Sequence, residues 1–162
     1  MILDKYGETE IDFAYQVSTI MSITILTQFY GLNISDEQKE KLVNGLTNIN
    51  PAEGGPFLSD VPSLVFCLHL LKTETNQDKV REVVEGLSMV YLSTIGKRID
   101  PLSCSNLMSG WAETGMYNAE MFEMLAELVI DKDEDDAFND NGSGTALVNI
   151  IKASARLGIT NN

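Results

Sequence analysis

The sequence predicts an all-α fold, an α-α solenoid in which helical hairpins stack with a period of about 41 residues. Three helical patterns end on a glycine, at Gly31, Gly115 and Gly158. Around the turns, apolar residues recur at i, i+3, i+4 and i+7, as on one face of a helix. Equivalent leucines are spaced by 41 residues, at Leu46, Leu87 and Leu128. The alternative is an irregular helical bundle without a repeat.

The first helix of each unit is predicted from the apolar stripe that precedes its turn. The four stripes are Ser22/Ile25/Leu26/Phe29, Leu64/Cys67/Leu68/Leu71, Cys104/Leu107/Met108/Trp111 and Leu147/Ile150/Ile151/Ser154. In the second unit the turn, Leu71 to Asn76, has no glycine. Because the residues of a stripe share one helical face, we expect each stripe to face the core.

The second helix of each unit follows the turn and carries its own stripe. These stripes are Leu42/Val43/Leu46, Val80/Val83/Val84/Leu87 and Met121/Met124/Leu125/Leu128. Glycine at the end of the first helix supplies the left-handed backbone of a helix C-cap. Ser35, Asn76 and Asn118 stand where the next helix needs an N-cap, and Ser35 with Gln38 has the spacing of a capping box.

These elements predict a single domain over residues 1–162. It contains hairpins at approximately residues 13–48, 61–95 and 102–131 and a final helix at 145–158. Longer return loops are predicted at about residues 49–60, 96–101 and 131–144. The final helix lacks a second helix, so we expect another chain or the N-terminal segment to cover its apolar side.

The charge balance restricts the partners of this chain. There are 24 acidic and 11 basic residues, a net charge of −13, and ten of the acidic residues lie between Glu113 and Asp140. Nucleic-acid binding depends on Lys and Arg at phosphates, and anionic membranes also attract basic surfaces. The composition therefore favours protein partners, such as the subunits of a larger complex.

The stretch from Phe13 to Ile34 has no charged residue. It contains several Ser, Thr and Gln residues, so a buried helix is a better prediction than a membrane span. The first twelve residues are acidic, unlike a targeting segment. An organellar location would require a presequence that is already removed or unconventional.

Few residues are suited to catalysis or metal binding. His69 is the single histidine, and no glycine-rich phosphate loop is present, so the chain is predicted to be non-catalytic and to hold no cofactor. Cys67 and Cys104 lie in apolar helical stretches and are expected to be buried thiols in a reducing compartment. A disulfide or a metal pair is the alternative for these two cysteines.

The acidic segment after the third hairpin suggests a calcium loop only in part. Asp131, Asp133 and Asp135 have the spacing of the first three EF-hand ligands. Asp136 stands where that loop needs glycine, and Gly142 stands where it needs a bidentate glutamate. A solvated loop is the main prediction, and a calcium-responsive adaptor is an alternative function.

A few basic residues are candidates for contact with RNA or with an acidic partner. Lys152 and Arg156 are four residues apart on the last helix, and Lys97 and Arg98 lie in the second return loop. Trp111 could stack on a base, but its position on an apolar stripe favours the core.

The third and fourth units resemble a known family of helical repeats. The resemblance lies in Ser105-Asn106-Leu107-Met108-Ser109-Gly110-Trp111-Ala112-Glu113-Thr114-Gly115-Met116-Tyr117-Asn118, in Ala119-Glu120-Met121-Phe122 and in Leu147 to Gly158. These segments are similar to the octotricopeptide and heptatricopeptide repeats of RAP-domain and FAST-kinase-like organellar proteins. The resemblance covers residues 101–162 and implies a mitochondrial or chloroplast protein that binds RNA or helps to build ribosomes.

The sequence departs from that family in two respects, since it has no recognisable RAP domain and no basic surface. The resulting hypothesis is a non-catalytic scaffold or interaction subunit of a mitochondrial assembly, such as a ribosome, a respiratory complex or ATP synthase. An organellar RNA-binding repeat protein is the alternative function, and the cytoplasm is the alternative location.

Overall fold

The computed structural model describes residues 13–47, 55–95, 99–134 and 143–158. Within these ranges the regular structure is helical and contains no strand, which confirms the all-α prediction. The α-helices are α1 (Phe13–Tyr30), α2 (Asp36–Thr47), α3 (Val61–Cys67), α4 (Gln77–Ile95), α5 (Pro101–Thr114), α6 (Ala119–Glu134) and α7 (Ser143–Arg156). Two 3-10 helices flank α3, at Gly55–Asp60 and Leu68–Leu71.

The helices pack in two rows. In one row α1 contacts α3, α3 contacts α5 and α5 contacts α7, and in the other α2 contacts α4 and α4 contacts α6. Helices that follow each other across a short turn also pack together, as α1 and α2, α3 and α4, and α5 and α6 do. The core between the rows includes the most deeply buried large side chains of the described residues, among them Leu42, Leu64, Leu68, Leu92, Leu107, Trp111 and Leu125.

The glycine turns form as predicted. Gly31, Gly115 and Gly158 have positive φ angles of 67°, 70° and 73°. At the end of α5 the amide of Gly115 and the amide of Met116 both donate to the carbonyl of Trp111, which satisfies a terminal carbonyl of the helix. Gly115 therefore ends α5 because an L side chain rarely adopts this backbone conformation.

Two of the three predicted N-caps are confirmed. Ser35 and Gln38 form the reciprocal bonds of a capping box, with Ser35 N donating to Gln38 Oε1 at 3.1 Å and Gln38 N donating to Ser35 Oγ at 3.3 Å. Asn118 Oδ1 accepts from Met121 N at 3.1 Å at the start of α6.

Asn76 stands at the predicted N-cap position, directly before α4, and its carbonyl accepts from Val80 N, but its side chain does not bond forward to α4 as an N-cap does. Its side chain turns back toward the preceding helix, where Oδ1 accepts from Thr73 N at 2.7 Å and Nδ2 donates to Leu71 O at 3.0 Å. Asn76 is buried, and it satisfies the polar backbone of a turn that has no glycine. The Asn76 side chain therefore stabilises this turn, whereas the other turns depend on a glycine.

Two return-loop predictions also need correction. Gly55–Asp60 is a 3-10 helix rather than loop, and α6 continues through Glu134, so the acidic segment is helical at its beginning. Residues 135–142, which hold the rest of the proposed calcium loop, lie outside the described residues.

Helix α5 shows why one glycine is needed inside a helix. A Cβ atom on Gly110 would lie 2.7 Å from the carbonyl oxygen of Val65, so this glycine lets α5 approach the backbone of α3 closely. The next residue, Trp111, is buried and its indole Nε1 donates to Ser88 Oγ at 2.9 Å. Trp111 is therefore a core residue, and base stacking by this side chain is ruled out in this structure.

The predicted stripes are correct for the inner helices and fail for α1. The stripe residues of α2, α4 and α5 are all buried. In α1, Ser22, Ile25, Leu26 and Phe29 face solvent instead, and the prediction that the uncharged stretch forms a buried helix is wrong for this side of it. In α7, Ile150 is buried and Ile151 is exposed, so its stripe is correct in part.

Candidate interaction surface

Helix α1 has two apolar faces on opposite sides. Val17, Ile20 and Ile23 are buried against the rest of the molecule. With about 3.6 residues per turn, the opposite side presents a second set, which we call the open face. The open face consists of Tyr15, Ser18, Ser22, Ile25, Leu26 and Phe29, all of which are exposed.

The large side chains of the open face are well exposed. Ile25 is 50% exposed and Phe29 is 71% exposed. Tyr30, the last residue of α1, and Leu32, which follows the helix, extend the apolar surface. By contrast, Ile20 on the other side of α1 has no exposed surface. One helix therefore presents an apolar surface to solvent while its other side completes the core.

The size of this surface can be estimated from its aromatic residues. A whole aromatic side chain has about 150–250 Å², so the exposed parts of Tyr15, Phe29 and Tyr30 leave on the order of 300–500 Å². Ile25, Leu26 and Leu32 add to this. On a typical monomer the largest apolar patch is about 300–600 Å² and is often functional. The open face is therefore large enough to be an interaction surface.

Helix α1 is also unusual in its lack of charge. Surface helices normally combine one apolar stripe with a charged face, and a helix that is apolar on all sides is normally buried on all sides. Phe13–Tyr30 contains no Asp, Glu, Lys or Arg. The helix therefore has the composition of an element covered on both sides, whereas the rest of the chain covers one side.

The charged residues at the start of α2, shortly after α1 in the chain, form two ion pairs. At the start of α2, Asp36 pairs with Lys39 at 3.4 Å and Glu37 pairs with Lys41 at 3.1 Å. These exposed pairs contribute little to stability. They do keep the local net charge small, so the acidic character of the chain lies elsewhere, mainly in the region of α6.

Cys67, the last residue of α3, carries a half-buried thiol beside Thr24 of α1. Burial raises the pKa of the Cys67 thiol, and the neighbouring Thr24 hydroxyl of α1 lowers it by a smaller amount. A raised pKa keeps the thiol protonated and poorly reactive at neutral pH. Neither Cys67 nor Cys104 forms a disulfide. Cys104 is buried, as the sequence predicted, whereas Cys67 is only half-buried.

The basic residues predicted as contacts do not form one site. Arg156 on α7 forms an ion pair and hydrogen bond with Glu113 on α5, so its guanidinium already has an acidic partner within the chain. Lys152 is exposed one turn earlier. Lys97 and Arg98 lie outside the described residues.

Other candidate groups are placed in structural roles. His69 Nδ1 lies in hydrogen-bond contact with the carbonyl oxygen of Phe66, and its ring packs against the Phe66 ring with centroids 5.3 Å apart. Over the described parts of the chain, no three His, Cys, Asp or Glu side chains come together as a metal site. In those same parts, no helix combines the length and hydropathy that a membrane crossing requires.

Sequence reasoning missed the open face because it assigned Ile25, Leu26 and Phe29 to the core. A signal was available in the 3-4 spacing of Tyr15, Ser18, Ser22, Ile25 and Phe29, which describes a helical seam of its own. Since the helix also has no charge, its two apolar seams predict that both sides of α1 are packed against other elements and not one side alone.

Comparison with known proteins adds no relative. No protein-family model matches the chain, and neither a curated protein nor a solved structure matches it significantly. The resemblance to organellar helical repeats therefore stays a prediction from the sequence.

Proposed function

We propose that this chain is a non-catalytic scaffold or interaction subunit of a larger assembly, built as a short α-α solenoid. The observation that carries the proposal is the open face of α1, an uncharged apolar surface on a helix that is covered on one side. In a solenoid each unit covers the apolar side of its neighbour, so a terminal unit without a polar cap is left incomplete.

The packing of the helices supports the solenoid. The contacts of α1 with α3, of α3 with α5 and of α5 with α7 repeat one relation between successive units. Two side-chain hydrogen bonds also connect successive helices of this row, each between residues that are 43 positions apart. Asn106 Nδ2 of α5 donates to Ser63 Oγ of α3 across 43 residues, and Arg156 of α7 binds Glu113 of α5 across 43 residues.

Hydrogen bonds at the C-terminal end of α5 also support the stacking of successive hairpins. Lys72 Nζ donates to the carbonyl of Glu113 at 2.7 Å, and Arg81 Nε donates to the carbonyl of Thr114 at 3.1 Å. Both cations therefore reach the C-terminal end of α5 from the preceding hairpin, where the helix dipole favours positive charge. Such bonds fix one unit against the next and support a rigid array.

The mitochondrial location and the type of complex rest on the resemblance to organellar repeats. We propose a mitochondrial assembly, such as a ribosome, a respiratory complex or ATP synthase, as the first place to look. Cell fractionation tests this location, and a purely cytoplasmic protein would contradict it.

The scaffold proposal is tested by purifying the tagged chain from its native source as wild type and as Phe29→Lys. Phe29 is 71% exposed, so the substitution does not disturb the core. The matched control is Ile151→Lys, which places the same charge on an exposed apolar residue of α7. We expect the wild type and Ile151→Lys to recover one defined set of proteins and Phe29→Lys to lose it.

Three results, two from that purification and one from a thermal melt, would contradict parts of the scaffold proposal. Recovery of RNA without proteins, with salt-dependent affinity that Lys152→Glu abolishes, would support the RNA-binding alternative. A melting temperature that rises with micromolar Ca²⁺ would support the calcium-responsive adaptor. Retention of all protein partners by Phe29→Lys would exclude the open face as their binding surface.

A further inference from the structure

We infer that the open face of α1 is covered by a second copy of this chain, in a symmetric dimer in which the two α1 helices pack antiparallel. This inference rests on the proposed interaction role of the open face and names its occupant. Three features support a second copy: the order of side-chain sizes along α1, the distribution of charge, and the area available.

The open face is complementary to itself. Ser22 lies near the middle of Phe13–Tyr30 and at the centre of the open face. If a two-fold axis passes beside Ser22, Leu26 of one copy faces Ser18 of the other, so a large side chain meets a small one. The same register places Phe29 opposite Tyr15, an aromatic pair. The small residues at the centre allow the helices to approach closely, and the large ones close the two ends.

The charge distribution permits two acidic chains to meet at this face and disfavours contact elsewhere. Helix α1 carries no charge, whereas the region of α6 is strongly acidic. With about 8–10 Å between packed helices, α5 and its partner α6 lie roughly 20 Å from α1. This distance is more than two Debye lengths of about 8 Å at physiological salt, so repulsion between the acidic ends of two copies is screened.

An antiparallel arrangement also sets the two helix dipoles in opposite directions, which adds a small favourable contribution.

The area is adequate for a dimer of moderate stability. The exposed aromatic surface of α1, on the order of 300–500 Å² per copy, provides about half of the 800 Å² per partner that stable interfaces bury. Ile25, Leu26 and Leu32 contribute further apolar area. The interface would be apolar and without ion pairs, so its stability should not fall as salt increases.

The experiment is sedimentation velocity of the purified full chain over a range of concentrations and at low and high salt. We expect a monomer–dimer equilibrium for the wild type, with a dissociation constant that does not rise with salt. Phe29→Lys should raise the dissociation constant at least about thirtyfold, because the change occurs twice in a symmetric interface. It also makes the chain less acidic, so general repulsion cannot explain the loss of the dimer.

Two further variants fix the geometry. Ile151→Lys should leave the dimer unchanged. If this variant disrupts the dimer, or if the wild type forms oligomers of more than two copies, α1 packs head-to-tail on α7 and the symmetric arrangement is overturned. Ser22→Cys should form a disulfide-linked dimer under mild oxidation, while Ser93→Cys, at an exposed position of α4, should not.

A wild type that remains monomeric at every concentration would overturn the inference. If Phe29→Lys then still loses its partners in the purification from the native source, the open face binds a different protein and the scaffold proposal stands. If Phe29→Lys loses no partner and the wild type is monomeric, both the dimer and the role of the open face fail.

Discussion

Helices α1 and α5 belong to the same row of packed helices but differ in how they are covered. Helix α5 packs against α3 on one side and α7 on the other, and it also contacts α4 and α6. Helix α1 packs against α3 and α2 and leaves its open face to solvent. The more apolar-looking of the two helices is therefore the less buried one, because neighbours decide burial and hydrophobicity alone does not.

The two helices also end differently. The C-terminal end of α5 is fixed by Gly115 and by two cations from the preceding hairpin, Lys72 and Arg81. The end of α1 has Gly31 in the same backbone conformation, but Tyr30 beside it is 78% exposed. The comparison shows that the centre of the molecule is more fully covered than the α1 end, which is where we propose that a partner binds.

The largest expected effect is at the centre, for Trp111→Ala. The side chain is buried and fills the space between α4 and α5, so its removal should lower the free energy of unfolding by about 3–5 kcal/mol. Trp111→Phe keeps a ring and loses the bond to Ser88 Oγ, which should cost about 1–2 kcal/mol. Denaturant titration measures both. A loss below 1 kcal/mol for the alanine variant would show that α5 is not the core of the molecule.

The second test compares the two sides of α1. Ile20→Ala should lower the free energy of unfolding by about 2–5 kcal/mol, since Ile20 has no exposed surface. Ile25→Ala on the open face should cost at most about 1 kcal/mol when measured on dilute protein. Equal losses at both positions would mean that α1 is rotated or covered on both sides in the monomer.

A third test concerns the close approach of α3 and α5. Gly110→Ala would place a Cβ atom against the Val65 backbone, and we expect a destabilisation of about 1–3 kcal/mol from overpacking. The matched control is Gly86→Ala in α4, where nothing lies within 4 Å of the added atom. That variant should stabilise the helix by about 0.5–1 kcal/mol. Thermal melts that rank the two variants in the opposite order would contradict the packing of α5 on α3.

The smallest expected effect is a pH dependence at the boundary of α1 and α3. Burial raises the pKa of Cys67 above its ordinary value of 9.0. Above that pH the unfolded chain loses the thiol proton first, so the free energy of unfolding falls as the pH rises toward the folded-state pKa. Below pH 9.0 this contribution is fully present.

The matched variant for this pH test is Cys67→Ala, which should flatten the part of the profile that begins near pH 9.0. Burial also raises the pKa of Tyr91 from 10.0, so a further decrease at higher pH should remain in the variant. An identical profile with and without Cys67 would show that the thiol is not buried against α1.

The sequence was sufficient to predict the inner part of the fold. In α4 the acidic residues mark the outward side, so the stripe from Val80 to Leu87 could be assigned without a structure. The glycine turns and the Ser35 capping box were also predictable, because each depends on residues close together in the chain. Asp100, which is absent from the sequence-based predictions, is the N-cap of α5, and its Oδ1 accepts from Ser103 N. Its position directly before Pro101 is typical of a helix start, so this cap was also predictable.

What the sequence could not supply depends on contacts between distant residues. In α1 no charge marks the outward side, so two apolar stripes compete and the pattern alone predicts the wrong one. The pairing of Arg156 with Glu113 follows from the packing of α7 on α5, and no local pattern reveals it. The Asn76 side chain could have bonded forward or backward, and the turn without glycine decided in favour of the backward bonds.

The most direct test of an open α1 end is amide hydrogen exchange followed by mass spectrometry at low and high protein concentration. In dilute protein we expect the amides of α1 to exchange faster than those of α5, since a helix covered on one side opens locally at lower free energy. Raising the concentration should slow exchange in α1 and leave α5 unchanged. Protection of α1 equal to that of α5 at every concentration would contradict the account, because the α1 end would then need no partner.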